Sequence, residues 1–184
     1  MMIAAHALVG AATMHLARKF YDDERSWIVT GIVLAFLSHA IVDTLAIFTY
    51  HDASPSGSLF SRSVFWFWIA CSVSVFVWGA RVDWRYLPGM ISALAFDIWD
   101  HWILRTISCA PRGFPDGCMS IYAYEHLHFH QMEWFFLDTF FLGVERHYGD
   151  PSFFLVEIGF VAAMVSLIYW LRRSHPLEVT SDEL

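Results

Sequence analysis

The sequence predicts an all-α fold: a polytopic bundle of transmembrane helices with about five spans and one further interfacial or re-entrant helix. Hydrophobic residues make up 57% of the 184 residues, and charged residues make up 16%. A soluble domain is typically about half apolar and about a quarter charged. The length predicts one domain, so we expect a single transmembrane unit over residues 1–172 and a cytoplasmic tail over residues 173–184.

Five apolar segments are the candidate spans. In chain order they cover residues 2–16, 27–50, 64–79, 90–107 and 152–171. The first is short, because about 20 apolar residues are needed to cross the hydrocarbon core, and its Ala and Gly content favours close helix packing. The third has no ionisable residue and is expected to face lipid. A shorter apolar run at 134–144 is the predicted interfacial or re-entrant helix.

Three short basic stretches predict the orientation of the bundle. They lie in the first polar turn, in the turn after the third segment and at the end of the fifth segment: Arg18, Lys19 and Arg25; Arg81 and Arg85; Arg172 and Arg173. The positive-inside rule places all three in the cytoplasm. We therefore expect a multi-pass protein of the bacterial inner (plasma) membrane, with a cytoplasmic C-terminus and with residues 108–150 facing the periplasm or exterior.

Two apolar segments carry ionisable side chains with the spacing of a helix face. His39 and Asp43 lie in the second segment, and Asp97, Asp100 and His101 lie in the fourth. Residues four apart share one face of a helix. Ionisable groups at bilayer depth are costly and usually face the bundle interior, paired or bound. Imidazoles and carboxylates are ligands for zinc, iron and manganese, so the two pairs predict a metal centre between helices.

Further candidate ligands come from the first segment and from the predicted outer loop. His6 is either a ligand or a hydrogen-bonded packing residue. The alternating loop histidines either deliver two imidazoles to one ion or belong to a solvated polar loop. The full predicted set is His6, His39, Asp43, Asp97, Asp100, His101, His126, His128 and His130. This set exceeds the three or four ligands of one zinc ion, so we expect one or two divalent metals, zinc first, with iron or manganese as alternatives.

The predicted topology gathers these candidates toward the outer leaflet, and it also sorts the remaining polar residues. Glu125 and Glu133 flank the loop histidines and are the predicted catalytic carboxylates, as general base or further ligands. His15 and His175 fall at the opposite side and are expected to be ordinary interfacial residues. In the outer loop, Cys109 and Cys118 are expected to form a disulfide. Cys71, inside the third segment, is expected to be a buried free thiol.

At these residues the chain resembles the uncharacterised bacterial and archaeal inner-membrane proteins regarded as metal-dependent hydrolases. The matching motifs extend from the N-terminus to about residue 130: His6, Ser38-His39-Ala-Ile-Val-Asp43, His51-Asp52, Asp97 to His101 and His126 to His130. Family members often place a proline before the acidic motif and in the His-Asp turn, where this chain has Ala95-Phe96 and Phe48-Thr49-Tyr50. The resemblance implies membrane-embedded hydrolysis of a phospholipid or lipid-linked ester.

Three functions are consistent with these residues. The first is a metal-dependent hydrolase at the outer leaflet, with membrane lipid as its surroundings and a lipid as its substrate. The second is a non-catalytic accessory subunit with membrane-protein partners, and the third is a membrane di-iron oxidoreductase, which the large aspartate share disfavours. Nucleic-acid binding is not expected, because the net charge is −7 and no basic patch is longer than Arg172-Arg173.

Overall fold

A computed structural model describes residues 3–44, 57–99, 103 and 152–174. These residues are almost entirely helical and include no strand, which confirms the predicted all-α class. A 3-10 turn, Trp84–Tyr86, joins the third and fourth helices. The six helices are α1 Ile3–Phe20, α2 Glu24–Thr44, α3 Leu59–Val82, α4 Leu87–Ser92, α5 Ala95–Asp97 and α6 Phe153–Ser174.

Three of these helices are long and apolar enough to cross a membrane. The qualifying stretches are Glu24–Val42 in α2, Leu59–Val82 in α3 and Phe153–Arg173 in α6. They correspond to the second, third and fifth predicted segments, and they turn large apolar side chains outward, including Ile41, Trp66 and Leu155. The lipid-facing character predicted for the third segment agrees with this, although Cys71 on α3 is half-buried rather than buried.

The first and fourth predicted segments have a different form, so a total of five spans stays a prediction. α1 has 18 residues, a length of about 27 Å at the usual helical rise, but it is not among the apolar spanning helices. The fourth segment is broken: α4 ends at Ser92, and α5 begins only after a turn at Ala93 and Leu94. Good helix formers surround this turn, so local propensity does not explain it.

α1 is the central helix of the bundle. It contacts α2, α3, α4 and α6, which explains why a helix rich in Ala and Gly can be almost wholly buried. The buried residues are Ala4, Ala5, His6, Ala7, Leu8, Gly10, Ala11, Met14, His15 and Ala17. Small side chains let neighbouring backbones approach closely, which is how helices associate where lipid removes the hydrophobic driving force.

The closest approach is between the backbones of α1 and α4. A Cβ atom placed on Gly10 would lie 2.5 Å from the carbonyl oxygen of Gly89 and 2.8 Å from the Cα atom of Met90. Met14 fills the adjoining space: a Cβ on Gly31 of α2 would lie 2.5 Å from its Sδ atom, and a Cβ on Gly89 would collide with its side chain. Glycine is therefore required at both faces of this crossing.

We expect Gly10→Ala to destabilise the bundle, because the new methyl group meets backbone, which cannot rotate away. Overpacking of this kind costs about 1–3 kcal/mol. Gly159→Ala is the matched control, since its Cβ would have nothing within 4 Å. Thermal unfolding of both variants in detergent should show a clear drop in midpoint for the first and none for the second. Equal behaviour of the two variants would contradict the close crossing.

An ion cluster closes the bundle at the end where α1 finishes and α2 begins. Asp83 accepts hydrogen bonds from Arg18 Nη1 at 2.7 Å and from Arg85 Nε at 2.9 Å. Arg85 also reaches Glu24, the first residue of α2, at 3.5 Å. The guanidinium of Arg18 lies 5.5 Å from the ring centroid of Trp27. The cluster thus ties α1, α2 and the turn after α3 together.

Burial by itself raises the pKa of Asp83, but the hydrogen bonds from Arg85 and the charges of Arg85 and Arg18 outweigh it, and the net effect lowers this pKa. A lowered folded-state pKa gives stability that is present above the unfolded value of 3.8 and is lost as the pH falls through the folded value. Asp83→Asn should therefore cost on the order of 1 kcal/mol at neutral pH.

The check is the unfolding midpoint of both proteins as a function of pH. The difference in unfolding midpoint between the original chain and Asp83→Asn should be constant from neutrality to about pH 5 and should become smaller below about pH 4. A gap that persists unchanged at pH 3 would show that the carboxylate charge contributes nothing to the cluster.

His15 differs from the predicted interfacial residue. Its side chain is buried, and its Nδ1 atom is hydrogen-bonded to the hydroxyl of Tyr86 at 2.9 Å. Tyr86 is itself fully buried, and burial is the main cause that raises its pKa. The prediction failed because an amphipathic residue near a helix end usually reaches the interface, whereas here the 3-10 turn folds back over it.

Candidate metal centre

The structure brings together three of the predicted ligands: His6, His39 and Asp97. Their candidate ligand atoms all lie within 4.8 Å of one another, with both histidines buried and Asp97 half-buried. Helix directions explain the convergence. A three-residue turn makes α1 and α2 antiparallel, so the start of α1 meets the end of α2. α4 and α5 run back from the ion cluster toward the same end and deliver the carboxylate.

Each ligand is the last member of a row with a spacing of four residues on its helix. The rows comprise Met14, Gly10 and His6 on α1, Gly31, Ala35 and His39 on α2, and Gly89 on α4, Ala93 in the following turn and Asp97 on α5. A spacing of four keeps the residues of one row on one side of a continuous helix, as on α1 and α2. The faces of α1 and α2 that pack around Met14 therefore also carry His6 and His39 to one point, and the turn after α4 brings Asp97 to them.

The backbone turn that breaks the fourth segment also orients His39. The carbonyl oxygen of Ala93 lies 2.7 Å from the Nδ1 atom of His39. A carbonyl can only accept a hydrogen bond, so Nδ1 carries the proton and the lone pair is on Nε2. Metal-binding histidines typically have their second nitrogen fixed by a carbonyl or carboxylate in this way. The contact therefore prepares Nε2 as a ligand atom.

The two histidine rings are stacked, with centroids 4.3 Å apart and planes at 18°. Neutral imidazole is the form of histidine that binds metals. Ligands of a tetrahedral zinc ion lie about 3.4 Å apart, from Zn–N and Zn–O bonds near 2.1 Å. Modest side-chain rotations would bring the three groups to that separation, so the donor set fits a divalent metal.

Two aromatic side chains, Phe96 and Phe36, lie between His39 and the exterior of α2, and we call this pair the aromatic wall. The ring of Phe96 packs edge-on against His39 with centroids 4.8 Å apart, and Phe36 packs edge-on against Phe96 at 4.7 Å. Phe36 is 40% exposed on the outward face of α2. This pair of rings therefore links the apolar exterior of the bundle directly to a candidate ligand.

The other predicted site residues are not tested by this geometry. Asp43 lies one helical turn beyond His39 on α2, but its side chain is outside the described part of the chain. Also outside it are Asp100, His101, Glu125, His126, His128, His130, Glu133, the His51-Asp52 pair, His175, Cys109 and Cys118. The ligand roles, the catalytic carboxylates and the disulfide predicted for them stay predictions.

Glu157 is a buried carboxylate that the sequence interpretation missed. It lies in α6 with 1% of its surface exposed, beside the buried Trp68 of α3. The signal was available, since one Glu in an otherwise apolar spanning segment is unusual. On α1, Ala4 packs with Trp68, whereas His6 faces His39 and Asp97. Glu157 of α6 therefore lies near a different face of α1 from the one that carries the candidate metal ligand His6.

Comparisons with protein-family models, with curated proteins and with solved structures find no match to this chain. The class of this protein is therefore described from its fold and its candidate site alone. Within the described residues the chain is all-helical, with three helices long and apolar enough to span a membrane and a His/Asp group that could hold a metal ion.

We expect protein purified without chelator to bind divalent metal through this group. His39→Gln should lower metal affinity about tenfold or more, because the amide keeps the size and polarity of the side chain but is a poor metal ligand. His15→Gln is the matched control, a buried histidine at the other end of the bundle. Elemental analysis and calorimetric titration measure both. An unchanged metal content of His39→Gln would contradict the assignment of His39 as a metal ligand.

Proposed function

We propose that this protein is a membrane-embedded, metal-dependent hydrolase that acts on a lipid ester. The observation that carries the proposal is the convergence of His6, His39 and Asp97 from three separate helix segments within 4.8 Å. Burying two imidazoles and a carboxylate in an apolar bundle is costly. A bound cation offsets this cost, and these residue types are its usual ligands.

Two imidazoles and one carboxylate are also the donor set of many catalytic zinc sites, in which three protein ligands leave one coordination position open. A divalent metal, when bound, supplies Lewis acidity and lowers the pKa of a coordinated water toward neutrality. The chain's own residues supply the positioning: Ala93 holds His39 through its carbonyl, and the partly exposed Asp97 stands at the rim of the buried pair.

The lipid character of the substrate is supported by the surroundings of the centre. Phe36 and Phe96 lie between His39 and the outward face of α2. A substrate with an acyl chain could approach past these rings without leaving an apolar environment. A water-soluble ester would instead have to leave water and cross that apolar environment. The predicted carboxylates Glu125 and Glu133 keep their proposed role in proton transfer.

A mononuclear iron oxidoreductase is the second candidate, and the donor set itself favours it. Two histidines and one carboxylate with open positions form the facial triad of non-haem Fe(II) oxygenases. Bound iron together with an oxygen-dependent lipid product would favour the oxidoreductase over the hydrolase.

The hydrolase proposal is tested with purified full-length protein and phospholipid vesicles, and released products are measured by mass spectrometry. Hydrolysis should require metal, stop with chelator and return when zinc is added. Asp97→Asn should reduce it about a hundredfold or more, since the amide replaces a charged ligand. Metal binding without any hydrolysis, together with stable association with a membrane-protein partner, would favour the accessory-subunit alternative.

The aromatic wall provides a second arm of this experiment. Phe36→Ala should change the preference between long and short acyl chains and leave metal content unaltered. Phe60→Ala is the matched control: Phe60 is 42% exposed and makes an edge-on contact with Phe154, with centroids 6.1 Å apart, away from the ligands. The same change of chain preference in both variants would exclude a specific role for the wall.

A further inference from the structure

The end of the bundle opposite the candidate metal centre has an excess of positive charge. The first polar turn, the turn after α3 and the last turn of α6 together contain seven Arg and Lys against four Asp and Glu. The chain as a whole has a net charge of −7, so this end has the opposite sign from the whole protein. The described turns at this end are therefore basic, although the chain as a whole is acidic.

Ion pairs within the chain involve only some of these basic residues. Asp83 is held by Arg18 and Arg85, and Glu24 lies beside Arg85. The other four arginines at this end of the bundle are solvent-exposed and make no ion pair within the residues that the structure describes. These four, which we call the free arginines, are Arg25, Arg81, Arg172 and Arg173.

Exposed aromatic side chains accompany the free arginines. Trp84, in the turn after α3, is 69% exposed, and Tyr169 and Trp170, one turn before the end of α6, are 66% and 60% exposed. Tryptophan and tyrosine at the ends of spanning helices are typical of the headgroup level of a bilayer, where the ring lies among the headgroups. Arginine at the same level meets lipid phosphates and donates several hydrogen bonds to one of them.

We propose that the free arginines and the surrounding aromatic residues form a binding surface for anionic phospholipid headgroups. Charge complementarity selects this occupant: the four guanidinium groups have no carboxylate partner in the described chain, and a phosphodiester with a net negative charge supplies one. Basic clusters next to spanning helices bind anionic lipids in this way, and each Arg or Lys contributes separately. The surface is independent of the metal centre, which lies at the other end of the bundle.

The test compares full-length protein in mixed micelles that contain either phosphatidylglycerol or phosphatidylcholine. Native mass spectrometry counts bound lipid, and thermal unfolding measures its effect. The original chain should bind phosphatidylglycerol preferentially and gain stability from it, with both effects reduced at high salt. Arg172→Gln/Arg173→Gln should weaken phosphatidylglycerol binding about fivefold for each arginine removed. Arg81→Gln tests the surface separately if the double variant does not fold.

Arg62→Gln is the matched control, because Arg62 is an exposed arginine in the first turn of α3, at the opposite end of that helix. It should bind phosphatidylglycerol as the original chain does. Equal loss in Arg62→Gln, or equal binding of phosphatidylcholine, would overturn the proposal. Saturation of the effect by inorganic phosphate alone would assign the arginines to free anions. Binding that appears only when Glu178, Asp182 and Glu183 are neutralised would assign them to the chain's own tail.

Discussion

The architecture depends on the close approach of α1, α2 and α4 around Met14. Gly10 and Gly89 let the backbones of α1 and α4 nearly touch, and Gly31 admits the Met14 side chain from the side of α2. In an apolar solvent such packing replaces the hydrophobic effect as the force that joins helices. Because α1 and α2 are continuous helices, their separation at this point determines their separation two turns further on, at the candidate ligands His6 and His39. Asp97 reaches the same place through the turn that separates α4 from α5.

This geometry explains why the candidate centre is at the end of the bundle and why it draws on three separate helix segments. Residues eight apart on one helix face are about 12 Å apart along the axis. From the Met14 crossing, that step reaches His6 on α1 and His39 on α2, whereas the fourth segment reaches Asp97 through the turn after α4. The turn at Ala93 lies between, and its carbonyl is the hydrogen-bond acceptor for His39. The break in the fourth segment, which local sequence does not explain, thus has a reason in tertiary contacts with the site.

The sequence allowed the helical class and much of the centre to be predicted, for identifiable reasons. His39 and Asp97 stood out because charge is rare in apolar segments, and the antiparallel order of segments implied that they would meet. The glycine rows leading to them carried the same spacing of four but no unusual chemistry, so they were overlooked. Glu157 was missed because a single Glu does not prevent an apolar helix from spanning. The pairing of Asp83 with Arg18 and Arg85 is a long-range contact, which periodicity cannot supply.

The two polar ends of the bundle solve the same energetic problem in different ways. At one end Asp83 is neutralised by two guanidinium groups from within the chain, so this carboxylate needs no external partner. At the other end the described residues bring Asp97 close to the stacked rings of His6 and His39. A divalent cation would coordinate all three groups at once. Its binding free energy would therefore add to the stability of the same helix packing that assembles the candidate ligands, so metal binding there would be thermodynamically coupled to the crossing at Met14.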